Sequence, residues 1–68
     1  MRISARNILK GTILDIRKGA TTAHIRLDIG GTAITAAITN EAVDDLKLGV
    51  GQTAYAVIKA SDVMIGVD

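Results

Sequence analysis

Eight consecutive residues, Thr22 to Ile29, alternate without a break between apolar and polar side chains. Ala23, Ile25, Leu27 and Ile29 take one face, and Thr22, His24, Arg26 and Asp28 take the other. A helix would repeat its apolar positions every three to four residues. A period of two describes a strand with one face in a core and one in water, which is the habit of antiparallel sheets. Such a strand needs neighbours close in sequence, and the chain supplies them on both sides. Thr12 to Lys18 reads as a strand with Leu14 and Ile16 facing in and Asp15 and Arg17 facing out, joined to the first by a Gly19-Ala20-Thr21 hairpin loop. Gly30-Gly31 reads as a second hairpin turn, because glycine supplies the positive φ that two-residue loops require.

Beyond that turn, Ala33 to Thr39 forms a third strand, with Ile34, Ala36 and Ile38 on one face and Thr35, Ala37 and Thr39 on the other. Small and β-branched residues on both faces suit a strand packed on two sides, as at a subunit interface. Asn40 is placed to cap a short helix. Glu41, Asp44 and Asp45 complement its dipole, Ala42, Val43, Leu46 and Leu48 form its apolar side, and Gly49-Val50-Gly51 ends it. Thr53 to Lys59 reads as a fourth strand and Val63 to Val67 as a short fifth. Ile3 to Leu9 is extended, with Gly11 marking a bend or bulge. The order predicts an all-β fold: a five-stranded barrel of the OB type with one short helix, and an SH3-like barrel as the nearest competitor.

Residues 1–68 make one domain. Ile, Leu and Val number 20, but there is no Phe or Trp, and Tyr55 is the only aromatic. So small a core leaves a monomer marginal. Neither a disulfide nor a structural zinc site can help, because the chain has no Cys and a single His. Oligomerisation is the remaining common stabiliser, and an obligate oligomer is expected. Residues 1–34 carry about +4 and residues 35–68 about −3, an asymmetry suited to head-to-tail packing but small enough to arise by chance. Met1-Arg2-Ile3-Ser4 runs straight into patterned sequence with no leader, and no apolar run nears the roughly 20 residues needed to span a bilayer. A soluble cytoplasmic protein is the default expectation.

Enzyme constellations lack material. His24 lies on a polar strand face, Asp44 and Asp45 suit a helix dipole better than acid/base work, and nucleophilic triads and transition-metal sites have no ligand set. Nucleic-acid binding, the usual work of OB barrels, relies on aromatic platforms beside a basic groove. One Tyr and a net charge of +1 make that the weaker alternative.

Two short segments remain, Ser4-Ala5-Arg6-Asn7 and Lys59-Ala60-Ser61-Asp62, each setting a cation beside a hydroxyl. Singly these are ordinary edge residues, with Lys59 a solvated strand end. Together, as strand neighbours, they suit a small oxyanion. A dianion offers only acceptors, so its site wants N–H and O–H donors and no nearby carboxylate. Small neighbours (Ala5, Ala20, Ala60) let backbone approach, and strand alternation would turn Asp62 away from Ser61.

These blocks, with Lys18-Gly19-Ala20, Ile38-Thr39-Asn40-Glu41-Ala42-Val43 and Ile58-Lys59-Ala60-Ser61-Asp62-Val63-Met64, closely resemble the molbindin (Mop-type) family of molybdate-binding proteins over essentially the whole chain. Related modules occur in molybdate-responsive regulators and at the ends of molybdate-transporter ATPases; this chain looks like a free-standing module. The resemblance implies a homohexamer, a trimer of dimers, that holds molybdate or tungstate between subunits for storage or buffering, with no cofactor and no catalysis. It assigns Ser4, Arg6, Lys59, Ala60 and Ser61 to an oxyanion site, with Gly19 and Ala20 offering backbone N–H groups from a neighbouring subunit. Thr39, Asn40 and Asn7 become candidates for a second class of site near a threefold axis. One departure stands out: family members often carry Ser in the strand where this chain has Ala36-Ala37, which would weaken one class of site.

Overall fold

The computed structural model describes residues 1–68. Four strands form one antiparallel sheet: β1 (Asn7–Lys18), β2 (Thr22–Ile29), β3 (Thr32–Thr39) and β4 (Thr53–Ile58), in the order β3-β2-β1-β4. A six-residue helix, α1 (Asn40–Asp45), follows β3 and packs on β2 and β3. A single 3₁₀ turn, Ala60–Asp62, follows β4. The small all-β fold with one short helix is as the pattern predicts. No helix is long and apolar enough to cross a membrane.

Two expected segments, Ile3–Leu9 and Thr12–Lys18, are one strand from Asn7 onward. Gly11 does not bend it. A Cβ there would lie 2.5 Å from the Asp28 carbonyl oxygen and the same distance from Ile29 Cδ1, so Gly11 marks a close approach of β1 to β2. The irregularity falls three residues later. Ile13 pairs with Leu27 and Asp15 with Arg26, which leaves Leu14 as the extra residue of a β-bulge. The bulge reverses the expected facing: Ile13 is buried at 1% exposure, while Leu14 is 46% exposed.

The core consists of Ile13, Ala23, Ile25, Leu27 and Val43, with Ile16, Ile29, Ala36, Ile38, Leu48 and Ala54 packed around it. Three of the five buried residues come from the strictly alternating strand β2. Gly30 (φ 62°) and Gly31 (φ 100°) both adopt the left-handed region, and the Gly31 N–H donates to Asp28 Oδ1 at 2.9 Å. This is the two-residue turn that matches the twist of its flanking strands.

The helix boundaries differ from expectation by one residue at the start and several at the end. Thr39, not Asn40, is the N-cap, and its Oγ1 accepts from the Ala42 N–H at 3.0 Å. At the other end Leu48 N–H donates to the Val43 carbonyl and Lys47 N–H to the Asp44 carbonyl, both at 3.1 Å. That pair is a Schellman cap, with Leu48 and Val43 supplying its apolar contact. Lys47 holds the left-handed position (φ 53°) that glycine usually takes.

Val63 to Val67 forms no strand. A strand returning beside β4 needs a tight reversal, and no residue between Lys59 and Val63 has positive φ. Val63 leaves the 3₁₀ turn extended, and Met64, Ile65 and Val67 are each about nine-tenths exposed. The single chain therefore has four strands rather than five, with free edges at β3 and β4. An apolar groove of about 480 Å³ stays open over the core, lined among others by Ile25, Ile38, Leu48, Ala54 and Tyr55.

Lys47→Gly relieves the left-handed strain of a side chain, about 1–2 kcal/mol, against a glycine entropy cost of about 0.5–1 kcal/mol. A denaturant melt is expected to show a net gain of about 0.5–1 kcal/mol; a loss would mean that the Lys47 side chain has a role beyond its backbone.

Candidate oxyanion-binding site

Pairing of β1 with β4 runs from Thr12↔Thr53 to Asn7↔Ile58. Arg6 directly precedes that last pair and Lys59 directly follows it, with Ser61 in the 3₁₀ turn beyond. The two cation-hydroxyl segments of the sequence are thus neighbours at one end of the sheet. Asn7 Nδ2 donates to the Ile58 carbonyl at 3.3 Å and ties the segments where the ladder stops. Ser4, Arg6, Lys59, Ala60 and Ser61 are all exposed.

None of these four polar side chains has a partner within the chain. The side-chain ion pairs are Arg17–Asp15 and Lys18–Asp44, and neither Arg6 nor Lys59 meets a carboxylate. The hydroxyls of Ser4 and Ser61 take part in no side-chain hydrogen bond. Asp62 is kept apart by a 3₁₀ turn and not by strand alternation. The Asp62 N–H donates to the Lys59 carbonyl at 2.9 Å, and a three-residue turn rotates successive side chains by about 120°. Two fixed cations and two free hydroxyls, with no acceptor of their own to satisfy, form a donor set for an anion.

The Gly19-Ala20-Thr21 turn closes the other end of β1. The Gly19 N–H is engaged, donating to the Thr22 carbonyl at 2.7 Å. Ala20 and Thr21 N–H groups donate to nothing in the chain. Asn40 clamps this turn twice: its backbone N–H donates to the Thr21 carbonyl at 2.8 Å, and its Nδ2 donates to the Gly19 carbonyl at 3.0 Å. Asn40 Oδ1 is buried without a partner. As an acceptor it has nothing to offer an oxyanion. Thr39 Oγ1 accepts from the Ala42 N–H, which leaves its O–H as a donor. Thr39, Asn40 and Gly19 thus sit together around the turn, and Asn7 lies with the Arg6 group.

The two groups cannot meet within one chain. They lie at opposite ends of the twelve residues of β1, a strand that, at no more than about 3.3 Å per residue, takes up most of the longest dimension of the molecule, 34 Å. One feature escaped the sequence reading. Arg17, Lys18, Gly19, Thr22 and His24 line a cleft of about 320 Å³ beside the turn. Part of its signal was present, since Arg17 and His24 both fall on the polar faces of adjoining strands; the register that sets them opposite, with four residues between the paired Lys18 and Ala23, was not.

The TOBE domain model matches residues 3–65. This chain belongs to the TOBE-domain family, as a Mop-type (molbindin) member. The "probable molybdenum-pterin-binding protein" of Haemophilus influenzae is 46% identical over 69 residues, covering all of both chains. Among solved structures, a molybdate-binding protein from Sporomusa ovata superposes with a TM-score of 0.94 at 40% identity, covering 98% of this TOBE domain and 100% of that chain. The cytoplasmic molybdate-binding protein ModG, solved with molybdate bound, gives a TM-score of 0.94 at 52% identity; all of this domain spans 49% of that chain.

The clamp on the turn predicts opposite outcomes for two substitutions. Asn40→Asp sets an oxygen against the Gly19 carbonyl and is expected to cost about 1–3 kcal/mol. Asn40→Ala loses one hydrogen bond but also removes the buried unpartnered Oδ1, and is expected to be near neutral. Thermal melts of both variants check this; equal losses would mean that the Nδ2 bond is not what holds the turn.

Proposed function

We propose that this TOBE domain binds molybdate or tungstate at interfaces between copies of itself, for intracellular storage or buffering in the cytoplasm and without catalysis or cofactor. The observation that carries this reading is the separation of the donor set. Ser4, Arg6, Lys59, Ala60 and Ser61 lie at one end of β1, and the free amide of Ala20, beside Gly19, lies at the other. A site using both is complete only when the end of one chain meets the turn of another. Relatives whose names carry molybdate or molybdenum-pterin binding support the ligand class.

Assembly as a homohexamer, a trimer of dimers, has physical support in what the single chain leaves uncovered. Five buried residues make a meagre core, while Met64, Ile65 and Val67 stand in solvent and the apolar groove stays open. Patches of this kind mark association surfaces. Asn7, Thr39 and Asn40 are retained as candidates for a second class of site. Of these, Thr39 accepts at the helix cap and keeps its O–H donor, and Asn40 uses one Nδ2 N–H on the turn and keeps the other.

Arg6→Ala or Lys59→Ala removes a charge-assisted hydrogen bond worth about 1.5–3 kcal/mol, an expected drop in molybdate affinity of roughly 10- to 150-fold. Unchanged tight binding in both variants would refute the site. Thermal melts with molybdate, tungstate, sulfate and phosphate test the ligand class, because a ligand at 100 times its Kd raises stability by about 2.7 kcal/mol. Shifts with the first two and little with sulfate are expected; equal shifts with all four would mean a general anion patch. Light scattering that finds a monomer still binding tightly would rule out the interface.

A further inference from the structure

The four-stranded sheet curls so far that its two edge strands border the same groove. Ile25 and Leu27 of β2 lie in the groove's floor, Ala36 and Ile38 of β3 on one wall, and Ala54 and Tyr55 of β4 on the other. Yet β3 and β4 stand at opposite ends of the strand order. The fold is therefore a barrel one strand short of closure. Neither edge carries the usual guards against pairing, since Thr32–Thr39 and Thr53–Ile58 contain no charge, no Pro and no bulge.

The chain holds one more segment of strand composition. In an extended conformation Val63, Ile65 and Val67 fall on one side, and Met64 and Gly66 on the other. This segment does not enter the groove of its own chain: Met64, Ile65 and Val67 are each about nine-tenths exposed. It departs from the end of β4 opposite the groove-lining residues Thr53 to Tyr55. Two hydrogen bonds set its course through the 3₁₀ turn, from the Asp62 N–H to the Lys59 carbonyl at 2.9 Å and from the Val63 N–H to the Ala60 carbonyl at 3.2 Å. With no positive φ there to reverse it, the tail projects into solvent.

We propose that the groove is closed by Val63 to Val67 of a second copy, laid as a fifth strand between β3 and β4. Val63, Ile65 and Val67 then fill the groove, and Met64 and Gly66 face outward. About a twofold axis the exchange is reciprocal, each chain giving a tail and receiving one. Occupant and groove match in kind and in length. Five uncharged residues span about 17 Å, close to the six-residue β4 beside which they lie, and their backbone meets the unpaired N–H and C=O groups of both edges. Asp62 and Asp68 flank the segment and keep its two ends in water. The inference rests on the assembly part of the proposed function and names the segment that makes its pairwise contact. It also couples that contact to the Lys59–Ser61 turn, because the exchanged strand begins two residues beyond Ser61.

The test uses full-length chains. The protein has no Cys, so introduced thiols report alone. Ile65→Cys is refolded together with a separate, mass-tagged chain carrying Ala36→Cys for the β3 wall or Ala54→Cys for the β4 wall, and the mixture is oxidised. A disulfide joining the unlike chains is expected from the groove positions and none from Arg26→Cys, which lies on the opposite face of β2. Light scattering over a dilution series supplies a second readout. Ile65 is 89% exposed in the single chain, so Ile65→Asp spares its core; the concentration at which the assembly is half dissociated is expected to rise tenfold or more, by about the loss of one buried Ile. An assembly that binds molybdate but forms no such disulfide at either wall, or whose dissociation Ile65→Asp leaves unchanged, overturns this inference alone. So does a disulfide formed within one chain carrying both Ile65→Cys and Ala36→Cys, which would mean that the groove takes its own tail. An assembly that forms the disulfide and binds no molybdate upholds this inference and overturns the ligand of the proposed function. A wild-type monomer at every concentration overturns both.

Discussion

Strand β1 pairs with β4 along its first half and with β2 along its second, meeting both at Thr12, and the placement of every chemistry-bearing residue depends on it. Its first paired residue, Asn7, meets the last of β4, so whatever precedes Asn7 must lie beside whatever follows Ile58. Its final residue, Lys18, meets Ala23, which fixes the hairpin turn and sets Arg17 across from His24. The bulge at Leu14 keeps both ends compatible with one core. Without an extra residue there, Ile13 and Ile16 would fall on opposite faces, because side-chain direction alternates at every step. The same strand makes the molecule's two polar clusters remote from each other.

What was legible in the sequence follows from how many residues voted for each feature. Eight alternating positions in β2 admit one facing only, and Gly30-Gly31 admits one turn family, so that hairpin was readable outright. Ile13-Leu14 is an apolar pair, and pattern alone cannot say which member turns inward; the answer lies in pairing with β2 and in the Gln52 carbonyl, which accepts from the Ile13 N–H at 2.9 Å. Thr39 and Asn40 are both competent caps, and the choice was made by tertiary contact, since the Asn40 amide is drawn to Gly19, 21 residues away. Val63 to Val67 has strand composition but no reversal to bring it back, which no local propensity records. Juxtaposition of the Ser4–Arg6 and Lys59–Ser61 segments was readable as chemistry; their register, and the cleft around His24, needed the sheet.

Charge distribution gains meaning from this geometry. The excess of Lys and Arg in the first half is not spread evenly over the surface. Arg6 stands at one end of β1, while Arg17 and Lys18 stand at the other, tethered to Asp15 and Asp44. Exposed pairs of this kind contribute little to stability, typically under about 1 kcal/mol. Their larger effect is positional: they hold long side chains beside a turn that is itself held by three hydrogen bonds. Arg6 and Lys59 have no carboxylate partner within the chain. The two ends of β1 therefore differ in kind, one with its cations paired to carboxylates and one with its cations unpaired.

That difference bears on how copies of the chain would combine. A contact joining the Arg6 end of one chain to the turn of another uses two unlike surfaces. If the pair is related by a twofold axis, each contact is made twice, because residue i meets j while j meets i. Two β1 strands lying antiparallel would satisfy this, each bringing its Arg6 end to its partner's turn along the length of the strand. If the contact repeats around a ring, each chain gives one end and receives one. Both arrangements yield as many sites of this class as there are chains, whatever the size of the assembly. Occupancy of such sites and assembly are then coupled by mass action, since an oxyanion held by two chains stabilises the contact between them. In the proposed site, a ligand that offers only acceptors would thus become part of the interface, neutralising cations that would otherwise repel across it.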